Sequence, residues 1–453
     1  MRTRAHAHGL IRQSLESLRL GRSKASNMKE EKGLDWLNSN KLHLSMSWPH
    51  SSLAGGASVL ISVAVITVLF LNCWWFLTLP PQPNLQLLVN STPGNDSTGL
   101  NYLDMNQTRD HHRTSPGLCD LSRGEWVPDS SPPLYTNNTC PYIQLSQNCL
   151  LNGRPDLGYL QWKWKPFDCE LPPFNAASFL NLLRGKKLAF IGDSLARNHM
   201  QALQCSLMQV ENPLNLYADP KDKEYKWLFP SYNFTLTNLW SPFLVNYTVE
   251  HDIYKLHLDV PDRVWARQVA EYDIAIVSTG YWYFRKSMYH VNNTLLGASP
   301  GSGLNVTTVK MLFALRIVLA NVLKHMTTEY KGITMLRTVT VDHFEHGSWS
   351  HGGVCNRTSP FSHQDGDIPP IPWMNSEINK IQIEEFQKAT AHLNDISRLK
   401  LLNVTYSAYL RPDGHPGPYR IRQPNEPAND CLHWCLPGPI DMWNQLALAH
   451  ITA

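Results

Sequence analysis

Two short segments of this chain carry a serine, a carboxylate and an imidazole, the groups that can move an acyl group through a covalent serine ester. Ser194 lies in the sequence Phe-Ile-Gly-Asp-Ser-Leu at residues 190–195, and Asp430 and His433 lie close to the end of the chain. A histidine that is oriented by a carboxylate can take the serine proton and return it to a leaving group. We therefore expect a catalytic triad of Ser194, His433 and Asp430, with the chain order Ser, Asp, His.

The residues around Ser194 predict a strand, a tight turn and a helix. Residues 188–191 are an apolar run suited to a buried strand, and Gly192 permits a sharp turn. Ser194 then opens a helix, and the free N–H groups at the helix start are candidates for stabilising an oxyanion. The spacing of Asp430 and His433 predicts that one helical turn places both side chains on the same side.

Either motif alone is weakly specific. Gly-Asp-Ser also occurs in capped turns, and Asp-x-x-His is often a surface or capping pair. The two motifs occur together, in this order, and the second is followed by Trp-Cys-Leu-Pro-Gly-Pro at residues 434–439. This combination favours the catalytic interpretation.

Strand and helix patterns alternate through the second half of the chain. Candidate strands are residues 187–191, 273–278, 333–340 and 401–404, and candidate helices are residues 176–183, 309–325 and 378–393. Such alternation predicts an α/β fold with a parallel central sheet flanked by helices. Active sites in these sheets gather at the carboxyl ends of the strands, which is where Ser194 and Gly280 are predicted to lie.

The formal charge of +3 conceals an uneven distribution along the 453 residues. Residues 1–50 carry nine Lys or Arg and four Asp or Glu, so the remaining residues carry 31 basic and 33 acidic side chains. The hydrophobic content of 43% and the 15 tryptophans predict a packed globular body. Because that body is near neutral, we expect no nucleic-acid partner.

An apolar segment precedes the predicted globular body. Residues 51–78 contain no charged residue, and residues 53–79 are long and apolar enough to cross a bilayer as one transmembrane helix, which needs about 20 residues. The basic character of residues 1–52 predicts a cytosolic tail, and hence a single-pass type II protein that is anchored in the membrane and has a lumenal body. A cleaved signal peptide is the alternative, which the long basic lead disfavours.

Composition divides the predicted lumenal part into three regions. Residues 80–117 are rich in Pro, Asn, Ser and Thr, which indicates a flexible stem. Residues 118–170 hold four of the eight cysteines beyond the apolar segment, and we expect a Cys- and Trp-rich N-terminal subdomain packed on the catalytic core. Residues 171–453 are then the catalytic domain.

The eight cysteines beyond the apolar segment predict four disulfides in an oxidising compartment. They are Cys119, Cys140, Cys149, Cys169, Cys205, Cys355, Cys431 and Cys435. The sequence does not choose among the pairings, but bridges from the two cysteines that flank His433 would fix the catalytic turn to the body. A zinc site at Cys-x-His-x-Cys is the alternative, and we expect no metal because no second ligand pair at metal spacing accompanies it.

Ten Asn-x-Ser/Thr sequons are candidate glycosylation sites, and all of them lie beyond the apolar segment. None lies before it, which supports the same topology independently. The asparagines are Asn90, Asn95, Asn106, Asn137, Asn233, Asn246, Asn292, Asn305, Asn356 and Asn403.

Together these motifs resemble the plant trichome-birefringence-like family, over residues 118 to the C-terminus. The resemblance rests on Gly-Asp-Ser-Leu-Ala-Arg-Asn at residues 192–198 and on Asp-Cys-Leu-His-Trp-Cys-Leu-Pro-Gly at residues 430–438. Further matches are Cys-Asp-Leu at 119–121, Gly-Glu-Trp at 124–126, Trp-Lys-Trp-Lys-Pro at 162–166 and Arg-Pro-Asp-Gly-His-Pro-Gly at 411–417. The run His-Phe-Glu-His-Gly-Ser-Trp at residues 343–349 is most similar to the branch that acetylates xyloglucan, with mannan-acetylating members close by.

The resemblance implies a fold like that of the GDSL/SGNH esterases and a polysaccharide O-acetyltransferase of the Golgi membrane. Xyloglucan is the first acceptor expected, and mannan or another hemicellulose is the alternative. No bound cofactor is expected. The acetyl donor is unknown, since no glycine-rich nucleotide loop points to acetyl-CoA, and a membrane partner that supplies the donor would fit. An acetyl-esterase with the same triad and a non-catalytic wall-glycan-binding protein are the other functions left open.

Four residues near Ser194 are candidate helpers. The backbone N–H of Ser194 is the first oxyanion donor expected and that of Gly280 the second, although a simple turn would also explain Gly280. The resemblance implies that Arg197 or Asn198 supports the oxyanion or anchors a loop, whereas both could instead cap or solvate the helix. Asp193 is expected to hold the turn.

Aromatic rings and loop histidines near the site segments are candidate glycan contacts. Aromatic faces suit the apolar surfaces of pyranose rings, with core positions as the alternative. The tryptophans concerned are Trp282, Trp349 and Trp434. The histidines, for which structural roles are the favoured interpretation, are His343, His346 and His415.

Overall fold

The computed structural model describes residues 119–362, 366, 368–421 and 426–453. The predicted cytosolic tail, transmembrane helix and stem lie outside the described residues, as do Asn90, Asn95 and Asn106. Within the described part, the helix Met311–Thr328 is long and apolar enough to cross a membrane by length and composition alone. Its leucine, valine and methionine side chains are buried among the central strands, so it is a core helix.

Strands and helices alternate along the described residues. The strands are β1 (Gly124–Pro128), β2 (Trp162–Pro166), β3 (Lys187–Gly192), β4 (Leu214–Ala218), β5 (Tyr225–Phe229), β6 (Phe234–Trp240), β7 (Val245–Glu250), β8 (Ile253–Pro261), β9 (Ile274–Val277), β10 (Ser287–Val291), β11 (Thr294–Ala298), β12 (Ile333–Arg337) and β13 (Leu399–Leu402). The helices are α1 (Ala176–Leu182), α2 (Ser194–Leu207), α3 (Arg263–Gln268), α4 (Met311–Thr328), α5 (Trp373–Ala391), α6 (Thr405–Tyr409) and α7 (Asp441–Thr452).

A seven-stranded sheet with the order β13-β12-β9-β3-β6-β5-β4 forms the centre of the fold. The strands from β13 to β6 run parallel, which confirms the predicted parallel sheet. The last two strands, β5 and β4, are antiparallel, because a short connection joins each to its neighbour. This edge was not predicted, and neither was a second sheet with the order β11-β10-β8-β7.

Alternate side chains of the central strands enter two separate cores. In β3, Leu188 and Phe190 face a core that includes residues of α2 and α7. Ala189 and Ile191 face the opposite core, which includes residues of α4 and α5. Helices thus cover both faces of the sheet, as expected for a buried parallel sheet.

The predicted element bounds shift by a few residues in the structure. The strand predicted at 333–340 ends at Arg337, because the N–H of Val339 leaves the ladder and donates to the Gln382 side chain at 2.8 Å. The helix predicted at 378–393 begins five residues earlier, at Trp373. End positions depend on side-chain partners that lie far away in sequence.

All eight cysteines of the described part are paired, in the bridges Cys119–Cys169, Cys140–Cys205, Cys149–Cys435 and Cys355–Cys431. The zinc alternative is therefore wrong, since the two cysteines around His433 bond to different partners. The described residues contain no cluster of three His, Cys, Asp or Glu side chains that could hold a metal.

The Cys-rich N-terminal region packs directly on the catalytic half. The indole N–H of Trp126 donates to the Ser407 carbonyl at 2.8 Å, and the Tyr135 hydroxyl donates to Asp441 at 2.8 Å. The bridge Cys140–Cys205 joins the region to α2. The N-terminal region can therefore help to position residues of the site.

Candidate active site

A sharp turn between β3 and α2 presents Ser194. A Cβ at Gly192 would lie 2.3 Å from the carbonyl oxygen of Ser278, so only glycine allows the two neighbouring strands to approach so closely. Asp193 is the N-cap residue of α2, and its side chain accepts a hydrogen bond from the N–H of Leu195 at 3.0 Å. Ser194 is the first residue of the helix, where its backbone N–H has no intrahelical partner.

Ser194, His433 and Asp430 form one continuous chain of hydrogen bonds. The distance from Ser194 Oγ to His433 Nε2 is 2.7 Å, and the distance from His433 Nδ1 to Asp430 Oδ2 is 2.9 Å. The two segments are 239 residues apart in sequence. With Asp430 ionised, His433 donates from Nδ1, which leaves Nε2 free to accept the serine proton.

The backbone between Asp430 and His433 is not helical, so the prediction of a helical turn is wrong. Leu432 and His433 instead form a bend in which Asp430 Oδ1 accepts hydrogen bonds from their N–H groups, at 3.1 and 3.0 Å. Such side-chain to backbone bonds compete with helix formation. They also fix the carboxylate at the correct distance for His433 Nδ1.

Asp430 is held as a carboxylate. Burial alone would raise its pKa, but the His433 ring, the hydrogen bonds from His433 and the Arg420 guanidinium together hold the pKa of Asp430 well below its ordinary value. Arg420 Nη1 lies 3.7 Å from Asp430 Oδ2. The ionised form is the one that can stabilise an imidazolium at His433.

Asn198 holds the loop that carries His433. Its side-chain oxygen accepts from the backbone N–H of Trp434 at 2.8 Å, and its side-chain N–H donates to Gln147 at 3.0 Å. Asn198 is fully buried. Of the roles left open for Asn198, the structure supports loop anchoring, because its side chain is committed to these partners and not to an oxyanion.

His343 and His415 form a buried pair behind His433. His415 Nδ1 lies 2.7 Å from the carbonyl oxygen of His433, and His343 Nε2 lies 2.9 Å from the carbonyl oxygen of Tyr409. The two rings meet at 2.7 Å through His343 Nδ1 and His415 Nε2. Burial lowers the pKa of both rings, that of His343 to about 4. Each neutral ring carries one N–H, so the pair has two protons for these three contacts. The structural roles expected for both residues are confirmed, and neither is placed to contact a glycan.

Two family profiles match this chain. Residues 171–450 match the PC-Esterase family, a GDSL/SGNH-like acyl-esterase family found in Pmr5 and Cas1p, and residues 117–170 match the PMR5 N-terminal domain. Trichome birefringence-like protein 25 of Arabidopsis thaliana is 43% identical over 82% of this chain and 83% of its own length. This chain belongs to the trichome birefringence-like proteins of the PC-Esterase family.

Other relatives of this PC-Esterase protein have names that state an activity. Xyloglucan O-acetyltransferase 4 of Populus trichocarpa is 42% identical over 73% of this chain and 80% of its own length. Xyloglucan O-acetyltransferase 2 of Arabidopsis thaliana is 40% identical over 74% of this chain and 82% of its own length. The suspected family membership is thereby confirmed.

The Arg-Pro-Asp-Gly-His-Pro-Gly motif of the PC-Esterase domain is structural in this chain. Arg411 and Asp413 form a fully buried ion pair with two contacts of 2.8 Å. Gly414 lies so close to Pro439 that a Cβ would come within 2.5 Å of its ring. Arg154 of the PMR5 N-terminal region donates to the carbonyl groups of Asp413 and His415, at 2.7 and 2.8 Å. The motif and its arginine therefore fix the loop on which His415 lies.

A buried arginine supports the turn from behind. Arg337, at the end of β12, donates to Ser278 Oγ at 2.7 Å and is only 2% exposed. Burial lowers the pKa of Arg337 to about 10, and the nearby Asp193 carboxylate opposes this shift. Burial also raises the pKa of Asp193, which the charge of Arg337 counteracts. The charges of Arg337 and Asp193 thus lower the free-energy cost of burying each other in the ionised form.

Gly280 and Arg197 lie near the turn without showing a catalytic contact. Gly280 follows β9, which pairs with β3, so it lies at the same edge of the sheet as Ser194. A Cβ there would come within 3.1 Å of the Val339 side chain, which gives this glycine a packing role of its own. Arg197 donates to the Asp222 carbonyl. An oxyanion role for Gly280 stays a prediction.

The remaining candidate glycan contacts divide by exposure. Trp434 is fully buried and packs against His415 with ring centroids 4.3 Å apart, so it takes the core position that was the alternative to a glycan contact. Trp282 is half-buried beneath Arg285, whose guanidinium lies 4.2 Å from its ring. Trp349 is 56% exposed, and His346 is exposed in the same loop. Of these candidates, only Trp349 and His346 are exposed enough to contact a large ligand.

The described sequon asparagines are mostly on the surface. Asn233, Asn292, Asn305 and Asn356 are exposed, and Asn137, Asn246 and Asn403 are half-buried. Asn403 Oδ1 accepts from Thr338 at 3.1 Å and from Asn379 at 3.3 Å. The exposed four are therefore better glycan acceptors than Asn403.

Several residues that position the site had no signal in the sequence. Gln147 accepts from Asn198 through its side chain, and its carbonyl accepts from Leu436 at 3.0 Å. The roles of Arg154, Arg337 and Arg420 were not predicted either, because the sequence does not distinguish an isolated buried arginine from a surface arginine. The spacing Asp-x-x-His could have been recognised as an aspartate-capped bend, because Asp commonly binds the backbone N–H groups that follow it.

Proposed function

We propose that this protein is an O-acetyltransferase that transfers acetyl groups to hydroxyls of xyloglucan. The observation that carries the proposal is the hydrogen-bond chain from Asp430 through His433 to Ser194. The names of the relatives give the reaction and the first acceptor to test. The near-neutral charge beyond the basic tail supports a neutral glycan.

In the first half-reaction, Ser194 accepts an acetyl group. His433 Nε2 takes the hydroxyl proton while Ser194 Oγ attacks the acetyl carbonyl of the donor, and Asp430 stabilises the imidazolium. The backbone N–H of Ser194, and as a second donor that of Gly280, stabilises the tetrahedral oxyanion. The bond to the donor's leaving group then breaks, and the leaving group takes the proton from His433.

In the second half-reaction, a sugar hydroxyl replaces the donor. His433 removes the hydroxyl proton, the sugar oxygen attacks the acetyl-serine carbonyl, and Ser194 Oγ leaves with the proton from His433. The product is an acetylated glycan and free enzyme. Because the donor's leaving group departs before the glycan is acetylated, the mechanism predicts ping-pong kinetics.

The direct test uses the full-length protein with a panel of deacetylated glycans. Xyloglucan, glucomannan, xylan and pectin are each incubated with acetyl-CoA or with p-nitrophenyl acetate, and products are read by mass spectrometry. We expect acetylated xyloglucan with the wild type and none with Ser194→Ala. Acetylation of another glycan in preference to xyloglucan would overturn the acceptor assignment and leave the reaction intact.

An acetyl-esterase is the second candidate, because the matched family is described as acyl-esterase. Water can replace the sugar hydroxyl in the second half-reaction without any change in the triad. Release of acetate from acetylated xyloglucan, without any gain of acetyl groups by deacetylated xyloglucan, would support the esterase over the transferase.

The proposal includes a Golgi location with the catalytic domain in the lumen. The basic tail, the uncharged segment 53–79 and the distribution of sequons support this topology. Protease treatment of sealed Golgi vesicles should leave a C-terminal epitope intact until detergent is added. Digestion of that epitope in sealed vesicles would contradict the type II topology.

A further inference from the structure

A cleft of about 590 Å³ lies beside the candidate triad. One wall is a face of α2 on which Arg197, Gln201 and Gln204 follow one another at helical spacing. Ser194 begins the same helix, about 4.5 Å along the axis before Arg197. The volume is within the range of about 300–1,000 Å³ that is typical of small-molecule sites.

The cleft is connected to the acidic member of the triad through one arginine. Arg420 lines the cleft, and its guanidinium lies 3.7 Å from the Asp430 carboxylate. A molecule in the cleft therefore contacts Arg197, which is one helical turn from Ser194, and Arg420, which contacts Asp430.

Two other parts of the chain complete the cleft. The N-terminal region contributes residues 141–146, and the hairpin of β4 and β5 contributes Tyr225 and Trp227. Tyr142 covers Trp227 with ring centroids 4.6 Å apart, and Tyr142 itself is 42% exposed. The cleft thus has an accessible aromatic surface that the PMR5 N-terminal region supplies.

Five side chains that line the cleft contain a buried polar atom without a hydrogen-bond partner. Gln201 and Gln204 are 3% and 1% exposed, and neither Gln201 Oε1 nor Gln204 Nε2 has a partner. The full set is Arg197 Nε, Gln201 Oε1, Gln204 Nε2, Trp227 Nε1 and Arg420 Nε. A buried polar group without a partner is costly, so such a concentration on one cleft indicates polar groups that a ligand satisfies.

The chemistry of the lining matches a neutral sugar. Amide groups of Gln201 and Gln204 can donate to and accept from hydroxyls, and an aromatic face suits the C–H surface of a pyranose ring. The charged side chains that line the cleft are nearly balanced, with Arg197, Lys221 and Arg420 against Asp222 and Glu426. Arg420 pairs directly with Glu426. A polyanion would require a clear excess of cations.

We infer that this cleft binds a neutral sugar unit of the acceptor chain that neighbours the sugar acetylated at Ser194. The inference rests on the proposed function, since it places the acceptor of that reaction. It assigns Tyr142 as a stacking surface and Gln201 and Gln204 as hydrogen-bonding partners. The N-terminal region is then part of the acceptor site, in addition to holding the His433 loop.

The test measures binding separately from chemistry. In a Ser194→Ala background of the full-length protein, calorimetry measures the Kd for deacetylated xyloglucan oligosaccharides, with Gln201→Met and Tyr142→Ala as added changes. Each change should weaken binding about tenfold, because it removes one buried hydrogen bond or one stacking face. Gln201→Met should not lower the melting temperature of the unliganded protein, since it removes a buried polar atom that has no partner.

The control is Gln268→Met, a glutamine on α3 outside the cleft, which should leave the Kd unchanged. Absence of measurable binding by the Ser194→Ala parent, or equal Kd values for parent and variants, would overturn the inference. So would tighter binding of oligogalacturonate than of the neutral oligosaccharide. Failure of the proposed function has a different signature, namely binding that depends on the cleft in a wild-type protein that acetylates no glycan.

Discussion

At the scale of single residues, the site depends on how a few polar side chains are oriented. Asp430 has two tasks, because one oxygen fixes the bend before His433 and the other orients its ring. The same carboxylate is kept ionised by its partners. A carboxylate whose pKa is lowered by folding also stabilises the fold, so loss of its charge should affect both chemistry and stability.

We predict that Asp430→Asn lowers kcat by about 10³- to 10⁴-fold and also lowers the melting temperature, because it removes a charge that stabilises the fold. An amide keeps the acceptor for the bend, but its NH2 group faces His433 Nδ1 and favours the wrong tautomer. Steady-state kinetics and a thermal melt measure both effects. The matched control is Asp252→Asn, an exposed aspartate in left-handed backbone, which should retain full activity.

At the scale of elements, helix α2 and the loop after Asp430 must keep a fixed position relative to each other. Asn198 links them through the N–H of Trp434, and Cys149 and Cys435 link the loop to the N-terminal region. These links lie on the C-terminal side of His433, whereas the bridge Cys355–Cys431 lies on the N-terminal side. The histidine is therefore restrained from both directions.

We predict that Asn198→Leu lowers the free energy of unfolding by about 1–3 kcal/mol, because it leaves the Trp434 N–H buried without a partner. Activity should fall as well, since the loop that carries His433 loses its contact with α2. Denaturant unfolding and kcat measure the two effects. Asn181→Ala on the exposed surface of α1 is the control, and an equal loss there would contradict the anchoring role.

Removal of the bridge Cys149–Cys435 should reduce both stability and activity. The bridge is buried and closes a separation of 286 residues, so we expect a loss of about 2–5 kcal/mol in the double alanine variant. Unfolding and kcat are compared with those of the Cys119→Ala, Cys169→Ala variant. That bridge lies within the N-terminal region and does not flank His433, so equal loss of kcat in the two variants would argue against a role in positioning the histidine.

At the scale of the whole molecule, the sheet separates two cores, and one of them lies directly under the nucleophile turn. His199 of α2 is buried there between Phe190 and Trp443, with ring centroids 4.8 and 5.3 Å away. Burial, and then the positive charge of Arg337, hold the pKa of His199 well below its ordinary value. Because the unfolded chain binds a proton at this residue more readily than the folded protein does, acid should lower stability in part through His199.

We predict that His199→Met makes the protein less sensitive to acid. The folded wild type keeps His199 neutral while the unfolded chain binds a proton below pH about 6.5, so its stability falls as the pH falls, by up to about 1.4 kcal/mol per pH unit. The difference in free energy of unfolding, variant minus wild type, should rise from pH 7 to pH 5. The exposed His392→Met provides the control. A difference that stays constant over this range would contradict the prediction.

Structural features that depend on local sequence pattern were predicted from the sequence, whereas features that depend on contacts between distant residues were not. Apolar runs identified the strands around Ser194, Ile274 and Ile333, and their alternation with helices predicted the parallel sheet. The antiparallel strands β4 and β5 escaped because neither is a continuously buried run. Every residue of β4 is exposed, and only Trp227 and Phe229 of β5 are buried. The support from Gln147, Arg154 and Arg337 escaped because those partners are brought together only by the tertiary fold.

The acetyl-serine intermediate provides the most direct test of the central claim. The full-length protein is mixed with p-nitrophenyl acetate without a glycan, quenched with acid, digested and analysed by mass spectrometry. The account predicts one added acetyl group on the peptide that contains Ser194, its absence in Ser194→Ala, and its loss when deacetylated xyloglucan is added. Formation of acetylated xyloglucan by Ser194→Ala at the wild-type rate would contradict the account.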